Sequence, residues 1–141
     1  MRPIYALLKN QDAPWSIQPQ DSVFDALKTL ADHDVGALMV MDQGKLVGIL
    51  SERDYTRKIA LVGKSSKDTK VADIMTAKVL TVDAHSRTED CMALMSQKKI
   101  RHMPVVDGDK VLGMISIRDI MDEIISDQEA TISQLQSYIA S

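Results

Sequence analysis

Two stretches of the sequence, GILSERDYTR (Gly48–Arg57) and GMISIRDIMD (Gly113–Asp122), repeat one pattern 65 residues apart. Each reads as Gly, two apolar residues, Ser, any residue, Arg and Asp. A Ser followed three residues later by an acid is typical of a capping box at the start of a helix. The pattern therefore indicates a strand that enters a helix twice, and the Ser and Asp side chains either only cap these helices or also bind a ligand.

The repeat extends far beyond these stretches, because residues 15–59 align with residues 80–124 at the same offset without a gap. Identical residues occur along the whole alignment: Asp25/Asp90, Val40/Val105, Asp42/Asp107, Lys45/Lys110, Gly48/Gly113, Ser51/Ser116, Arg53/Arg118, Asp54/Asp119 and Ile59/Ile124. A two-residue shift extends the match upstream and pairs Ile4, Leu7 and Leu8 with Val71, Ile74 and Met75. Two copies are too few for a repeat array. The alignment favours a duplicated module that folds as a pseudo-symmetric pair.

Each copy predicts the element order β-α-β-β-α. A short extended piece (WSI at 15–17, VLTV at 79–82) precedes a helix with one apolar face. The residues on that face are Val23, Ala26, Leu27 and Leu30 in the first copy and Cys91, Met92 and Met95 in the second. Two apolar runs joined by a Gly-containing turn then predict a hairpin, and the second run enters a helix at Ser51 or Ser116.

The predicted domain boundaries follow from the repeat. We expect a first domain over 1–62, a polar linker over 63–70, a second domain over 71–125 and a helical extension over 126–141. Apolar residues in the last segment suggest that it prolongs the final helix. A tandem of ferredoxin-like domains also begins β-α-β-β-α, but it would need a closing strand where the sequence after Ile124 indicates helix.

Composition narrows the class of protein. With 45% hydrophobic and 26% charged residues among 141, the composition is typical of a globular protein, and the predicted element order makes the fold class α/β (α+β). A net charge of −3 argues against a general nucleic-acid binder. No signal peptide or membrane-spanning stretch is visible, so we expect a cytoplasmic protein. The lone Cys91 falls on an apolar helix face and predicts a buried thiol.

No catalytic or metal-binding set stands out in the sequence. His33, His85 and His102 share no ligand spacing, so no metal site is predicted. The sequence shows no set of nucleophile, base and orienting group, and no Gly-rich phosphate loop. These residues therefore do not predict an enzyme.

Two β-α-β-β-α units with Gly-h-h-Ser/Thr-x-x-Asp at the junction of strand and helix, h being apolar, resemble a pair of cystathionine-β-synthase (CBS) domains, called a Bateman module. The chain is similar to the small stand-alone members of that family. The resemblance implies tandem CBS domains packed as a pseudo-two-fold pair, with a cleft between them that binds AMP, ADP, ATP, NAD(H) or S-adenosylmethionine.

The resemblance also implies site residues. It assigns the ribose to Asp54 and Asp119, whose carboxylates each offer two acceptor oxygens to a vicinal diol. Ser51 and Ser116 would assist near the ribose and phosphate, and Gly48 and Gly113 would let a ligand approach the backbone. Further candidates are Arg53 and Arg118 for phosphate, Ser16 and Thr81 on the first strands, and Gly36, Ala37, Arg101, His102, Met103 and Pro104 along the adenine and phosphate cleft.

The two copies differ in charge. The second offers Lys99, Arg101 and His102, whereas the matching segment of the first contains Asp34, Gly36 and Ala37 and no cation. We therefore expect the two sites to be unequally equipped for phosphate.

Three functions are weighed. The first is a regulatory module that binds an adenine nucleotide (AMP, ATP or NAD) and signals to a partner protein by a change of shape. The second is a structural or dimerisation module with degenerate sites, and the third is a small enzyme whose site is not recognisable. Because Bateman modules commonly form dimers, we also expect a homodimer, with the tail beyond Ile124 at or beside the interface.

Overall fold

The computed structural model describes residues 2–8 and 16–140, which form two compact units. The first unit comprises residues 16–80 and the second comprises residues 2–8 and 81–140. The first unit contains β1 (Ser16–Ile17), α1 (Val23–His33), β2 (Ala37–Asp42), β3 (Lys45–Ser51), α2 (Glu52–Tyr55), a π-helical turn (Thr56–Ala60) and α3 (Val71–Ile74). The second unit contains a 3-10 helix (Ile4–Leu7), β4 (Val82–Asp83), α4 (Thr88–Lys98), β5 (His102–Asp107), β6 (Lys110–Ser116) and α5 (Ile117–Ala140). The predicted mixed fold with two β-α-β-β-α units is confirmed.

Each unit is built on a three-stranded sheet of the same topology. β1 pairs with β2 in parallel and β2 pairs with β3 in antiparallel fashion, and β4, β5 and β6 repeat this arrangement. Both hairpins close with two-residue turns, Gln43–Gly44 and Gly108–Asp109. Both also shift register at the same aligned place, between Val40 and Met41 and between Val105 and Val106. The duplication in the sequence therefore extends to the register of the strands.

The helices that cover the sheets follow the predicted apolar faces. α1 begins at the cap Ser22, whose Oγ accepts a hydrogen bond from the Asp25 amide at 3.1 Å. Its predicted face is buried at Val23, Ala26 and Leu30. On α4, Cys91 and Met95 are buried. Burial raises the pKa of the Cys91 thiol to about 11, so this thiol stays protonated near neutral pH.

Each unit has its own apolar core. The core of the first unit contains Ile17, Val23, Ala26, Leu30, Leu38, Val40, Leu50, Ile59, Val71 and Ile74. The core of the second unit contains Ile4, Leu7, Val82, Ala84, Cys91, Met95, Met103, Val105, Ile115 and Ile120.

Residues 2–8 and 71–76 lead into the first and the second repeat and are called the lead-ins. Each lead-in packs on the core of the other repeat. Ile4 and Leu7 precede the first repeat in sequence but belong to the second unit, where the Tyr5 amide donates to the Ala84 carbonyl at 3.0 Å. Val71 and Ile74 precede the second repeat but belong to the first unit. The compact units therefore do not coincide with segments 1–62 and 71–125. An alignment shows that a lead-in is apolar, but it does not show which core buries it.

Residues 63–70 are part of the first unit rather than a free connection. The Val23 amide donates to the Thr69 carbonyl at 2.8 Å, and the Phe24 amide donates to the Ser66 carbonyl at 2.9 Å. These bonds satisfy amides of the first turn of α1, which have no partner within the helix. The polar segment therefore caps α1.

The first strand of the second copy is shorter than predicted. β4 starts at Val82 instead of 79, because the Val79 amide bonds to the Ala77 carbonyl in a tight local turn. In the first copy, β1 starts at Ser16, and Trp15 lies outside the described residues.

The final helix is prolonged as predicted, since α5 runs for 24 residues from Ile117 to Ala140. Every described residue from Ile125 onward is exposed. The large apolar side chains exposed on α5 are Met121, Ile125, Ile132, Leu135, Tyr138 and Ile139. The tail therefore does not fold back onto the second unit.

Candidate functional site

The first motif forms a complete capping box at the start of α2. The Asp54 amide donates to Ser51 Oγ at 3.2 Å, and the Ser51 amide donates to Asp54 Oδ2 at 3.0 Å. The Ser51 hydroxyl also donates to Oδ2, at 3.1 Å. One carboxylate oxygen of Asp54 is thus occupied by groups of its own turn.

The second carboxylate oxygen of Asp54 is occupied as well. Oδ1 accepts from Thr76 Oγ1 at 3.3 Å and lies 3.1 Å from Lys58 Nζ. Lys58 Nζ in turn donates to the Ile74 carbonyl at 2.8 Å. Asp54 is 9% exposed, so its charge is both buried and compensated within the first unit. Its four contacts equal the roughly four acceptor sites of a carboxylate.

The second motif has the same backbone bonds but a less occupied acid. The Ser116 amide donates to Asp119 Oδ2 at 2.9 Å, and the Asp119 amide donates to Ser116 Oγ at 3.1 Å. Within residues 2–8 and 16–140, no hydrogen bond or ion pair engages Asp119 Oδ1. Asp119 is half-buried, so this oxygen is available to an outside donor.

The strand beside each motif brings predicted cleft residues to it. In the first unit, the Glu52 amide donates to the Gly36 carbonyl at 3.0 Å and Ala37 lies opposite Ser51. In the second unit, the Ile117 amide donates to the Arg101 carbonyl at 2.8 Å and His102 lies opposite Ser116. The charge difference that was predicted between the two copies therefore lies beside the two motifs.

His102 adds a polar ring beside the second motif. It is half-buried, and burial lowers its pKa below the usual range. The nearby Asp119 carboxylate acts in the opposite direction, and Arg101 adds to the lowering. Near neutral pH the imidazole is therefore neutral and can both donate and accept a hydrogen bond.

The remaining predicted residues are distributed unevenly. Met103 and Pro104 are buried within β5, and Met103 belongs to the core of the second unit. The Met103 side chain is therefore not available at the surface. Exposed positions are Ser16 on β1, Thr81 before β4, Arg53 on α2 and Arg118 on α5. Within the described part of the chain, no hydrogen bond joins Ser16 or Thr81 to a motif acid, and both stay predictions.

Gly48 lies against another segment of its own unit. Its backbone faces Met75 and Thr76 of the same unit, and the Thr76 amide donates to the Ile49 carbonyl at 2.8 Å. A Cβ at position 48 would lie 2.6 Å from Met75 Sδ and 3.1 Å from the Thr76 carbonyl oxygen. A close approach of the chain itself therefore requires glycine at position 48, and the expected approach of a ligand stays a prediction.

Two residues at the first motif were missed by the sequence interpretation, Lys58 and Thr76. The repeat did contain a signal, because the constant offset pairs Lys58 with Glu123, an exchange of opposite charges four residues after the motif acid. Thr76 comes from the lead-in to the second repeat, which is distant in sequence from the first motif. Only the packing of that lead-in reveals its contact.

Glu123 turns away from the second motif. Arg2 binds it through both carboxylate oxygens, with Arg2 Nη2 2.6 Å from Oε2 and Nε 3.1 Å from Oε1. Arg2 holds the pKa of this carboxyl below its usual range. The Arg2 carbonyl also accepts a hydrogen bond from the buried Thr88 hydroxyl at 2.9 Å. The pair fastens the N-terminal segment to α5.

Among the described residues, no group of three or more His, Cys, Asp or Glu side chains could hold a metal ion. None of the helices over residues 2–8 and 16–140 combines the length and apolarity needed to cross a membrane.

Comparison with known proteins identifies the class. The sequence model of the CBS domain matches residues 10–61 and 71–126, which together cover most of the chain. The protein therefore belongs to the CBS-domain family. It is 40% identical over 137 residues to the mitochondrial CBS domain-containing protein CBSX3 of Arabidopsis thaliana, and the match covers 93% of this chain and 66% of that protein. The chain thus spans just under two thirds of that relative.

Solved structures of the family share the fold. A CBS-domain protein of Burkholderia ambifaria MC40-6 is 42% identical with a TM-score of 0.86, covering 90% of this chain and 96% of that one. The CBS domain pair of protein MJ0100, in complex with 5-methylthioadenosine and S-adenosyl-L-methionine, is 26% identical with a TM-score of 0.79. That match covers 90% of this chain and 98% of the other.

Proposed function

We propose that the protein is a regulatory module, not an enzyme, that binds an adenosine-containing ligand such as AMP, ATP or NAD and signals to a partner protein through a change of conformation. The observation that carries the proposal is the Asp119 carboxylate, which has one oxygen without a partner among the described residues. A ribose diol supplies the two donors that such a carboxylate accepts.

Two further observations support the proposal. His102 and Arg101 lie beside the motif, where a neutral imidazole and a guanidinium suit a base edge and a phosphate. The MJ0100 CBS pair, which shares the fold, was solved in complex with two adenosine-containing ligands, 5-methylthioadenosine and S-adenosyl-L-methionine. Cytoplasm stays the predicted compartment, although the relative CBSX3 is mitochondrial.

Thermal unfolding tests the proposal. A ligand that binds only the folded protein at a hundredfold excess over Kd adds about 2.7 kcal/mol to the free energy of unfolding. For a chain of this size each kcal/mol raises Tm by roughly 2–4 °C. We expect a shift of several degrees with at least one of AMP, ADP, ATP, NAD, NADH and S-adenosylmethionine, and smaller shifts with GMP and UMP.

The Asp119→Ala variant should lose most of that shift, because a hydrogen bond to a charged group contributes about 1.5–3 kcal/mol. Asp122→Ala, at an exposed position on the same helix, is the matched control and should keep the shift. Equal shifts with all nucleotides would indicate binding of phosphate alone. The absence of any shift at millimolar concentration would contradict the proposal and favour degenerate sites.

The exposed face of α5 supports the second candidate function, dimerisation, which is compatible with the first. Ile125, Ile132 and Ile139 recur at seven-residue spacing, with Leu135 between the last two. Such spacing forms a seam that two copies of one helix can share. We propose a homodimer through this seam, and sedimentation at tens of micromolar tests it. The Ile132→Asp/Leu135→Asp variant should sediment as a monomer, and a monomeric parent chain would contradict the assembly.

A further inference from the structure

The two motif acids differ in how many of their acceptor positions the chain itself uses. Around Asp54, Ser51 supplies two donors to Oδ2, while Thr76 and Lys58 supply two to Oδ1. Around Asp119, the Ser116 amide is the one hydrogen-bond donor to the carboxylate among the described residues. A diol must donate two hydrogen bonds, so it fits the second acid as it stands and must displace groups from the first.

Lys58 is the group that makes this displacement costly. Its ammonium group bridges the Asp54 carboxylate and the Ile74 carbonyl, so it is held from two sides. The Asp54 side chain is 12% exposed, which shields the ion pair from water at the acid's end. A neutral ribose hydroxyl that replaces the ammonium group would leave the carboxylate without its counter-charge.

The aligned position of the second repeat has the opposite charge. Glu123 replaces Lys58 in the alignment, and it pairs with Arg2 instead of contacting Asp119. No cation of α5 is therefore engaged with Asp119 among the described residues. The first acid is therefore occupied by the Lys58 ammonium group as well as by the Ser51 and Thr76 hydroxyls, and the second acid has none of these three contacts among the described residues.

We propose that Lys58 occupies the Asp54 carboxylate and thereby confines ribose binding to Asp119. This inference rests on the proposed function and specifies which of the two motifs carries it. Lys58 acts as a specificity-determining residue: it selects between two sites that share their motif and their backbone.

Calorimetry with AMP and 2′-deoxy-AMP tests the proposal on the full chain. The parent protein should bind one AMP per chain and prefer it to 2′-deoxy-AMP on the order of tenfold, because the deoxy compound lacks one donor to the acid. Asp119→Asn should abolish this preference and weaken AMP binding about tenfold or more. Asp54→Asn should change both quantities by less than about twofold.

The Lys58→Met variant tests the blocking role directly, since it removes the ammonium group but keeps a flexible apolar stem. We expect a second AMP to bind per chain, and Asp54→Asn in the Lys58→Met background should remove that second event. Lys64→Met, at an exposed lysine of the same unit, should bind one AMP like the parent. The comparison of Asp54→Asn with Asp119→Asn decides the question even if Lys58→Met does not fold.

Three results would overturn the inference. The first is equal weakening of AMP binding by Asp54→Asn and Asp119→Asn, and the second is two equivalent AMP sites in the parent protein. The third is weaker AMP binding by Lys58→Met, which would place the ammonium group at the ligand instead of at Asp54. If AMP and the other adenosine ligands fail to bind any variant, the proposed function itself is wrong and this inference falls with it.

Discussion

The turn that starts α2 and the turn that starts α5 have the same backbone and different electrostatics. In both, a Ser amide binds the motif acid and the acid's amide binds the Ser hydroxyl, at distances that agree within a few tenths of an ångström. Four residues later one helix presents Lys58 to its acid, while the other presents Glu123 to Arg2. Two copies of one fold can therefore keep the same backbone geometry at a motif and still differ in whether the motif's carboxylate is available to a ligand.

The same comparison extends to the segments that lead into the repeats. Each one packs on the other repeat's core, but the first adds an ion pair through Arg2, whereas the second adds Thr76 to the motif acid. The first lead-in thus forms an ion pair with α5, and the second donates a hydrogen bond to the Asp54 carboxylate.

The largest expected effect comes from the buried isoleucines of the two lead-in segments. Ile4→Ala and Ile74→Ala each remove a side chain that is at most 2% exposed, so each should lower the free energy of unfolding by about 2–5 kcal/mol. Hydrogen exchange locates the loss. Ile4→Ala should accelerate exchange in β5 and β6, and Ile74→Ala should accelerate it in β2 and β3. Faster exchange in β2 and β3 for Ile4→Ala would show that each lead-in packs with its own repeat.

In the absence of ligand, replacing the two motif acids should lower the free energy of unfolding by smaller and unequal amounts. Asp54→Ala removes an acid with four contacts and should cost about 2 kcal/mol, whereas Asp119→Ala removes one contact and should cost about 1 kcal/mol. Urea unfolding measures both values. Equal losses would mean that Thr76 and Lys58 add nothing to the stability of the first motif.

The Arg2–Glu123 pair should contribute a dependence of stability on acid pH. Because Arg2 lowers the pKa of Glu123 in the folded protein, the contribution is complete above the usual value of 4.5 and is lost as pH falls through the lower folded value. Glu123→Gln should therefore lower Tm at pH 6 and approach the parent protein at more acidic pH. Glu129→Gln, at an exposed position of α5, is the control and should follow the parent at every pH.

The smallest effect should come from His102, which has no counterpart in the first unit. Burial lowers its folded pKa, so the unfolded chain takes up a proton more readily than the folded one. Stability should therefore be complete above the usual value of 6.5 and decrease as pH falls toward the folded value. His102→Asn should reduce this decrease between pH 7 and pH 5, whereas His85→Asn, at an exposed position, should retain it. The same dependence of stability on pH in the parent protein and in both variants would contradict a lowered pKa of His102 in the folded protein.

Much of the fold was predictable because it depends on local pattern. Spacings within some tens of residues predict the element order, the apolar faces of α1 and α4, the Gly-containing hairpin turns and the continuation of α5. The ends of the first strands were less predictable. A two-residue parallel strand is defined by its neighbour, and the sequence VLTV does not show where that neighbour stops pairing.

By itself, the sequence determined that the chain is a duplicated module with a Ser-x-x-Asp motif in each copy, because a repeat is visible in the order of the residues and a helix cap depends on residues three positions apart. The tertiary structure decided which core each lead-in joins and which motif acid is already occupied. Both depend on contacts between residues far apart in the chain, such as Thr76 with Asp54 and Arg2 with Glu123. An apolar lead-in can pack on any core of complementary shape, and a lysine can pair with any nearby acid. Only the packed chain therefore shows which core buries each lead-in and which acid is paired.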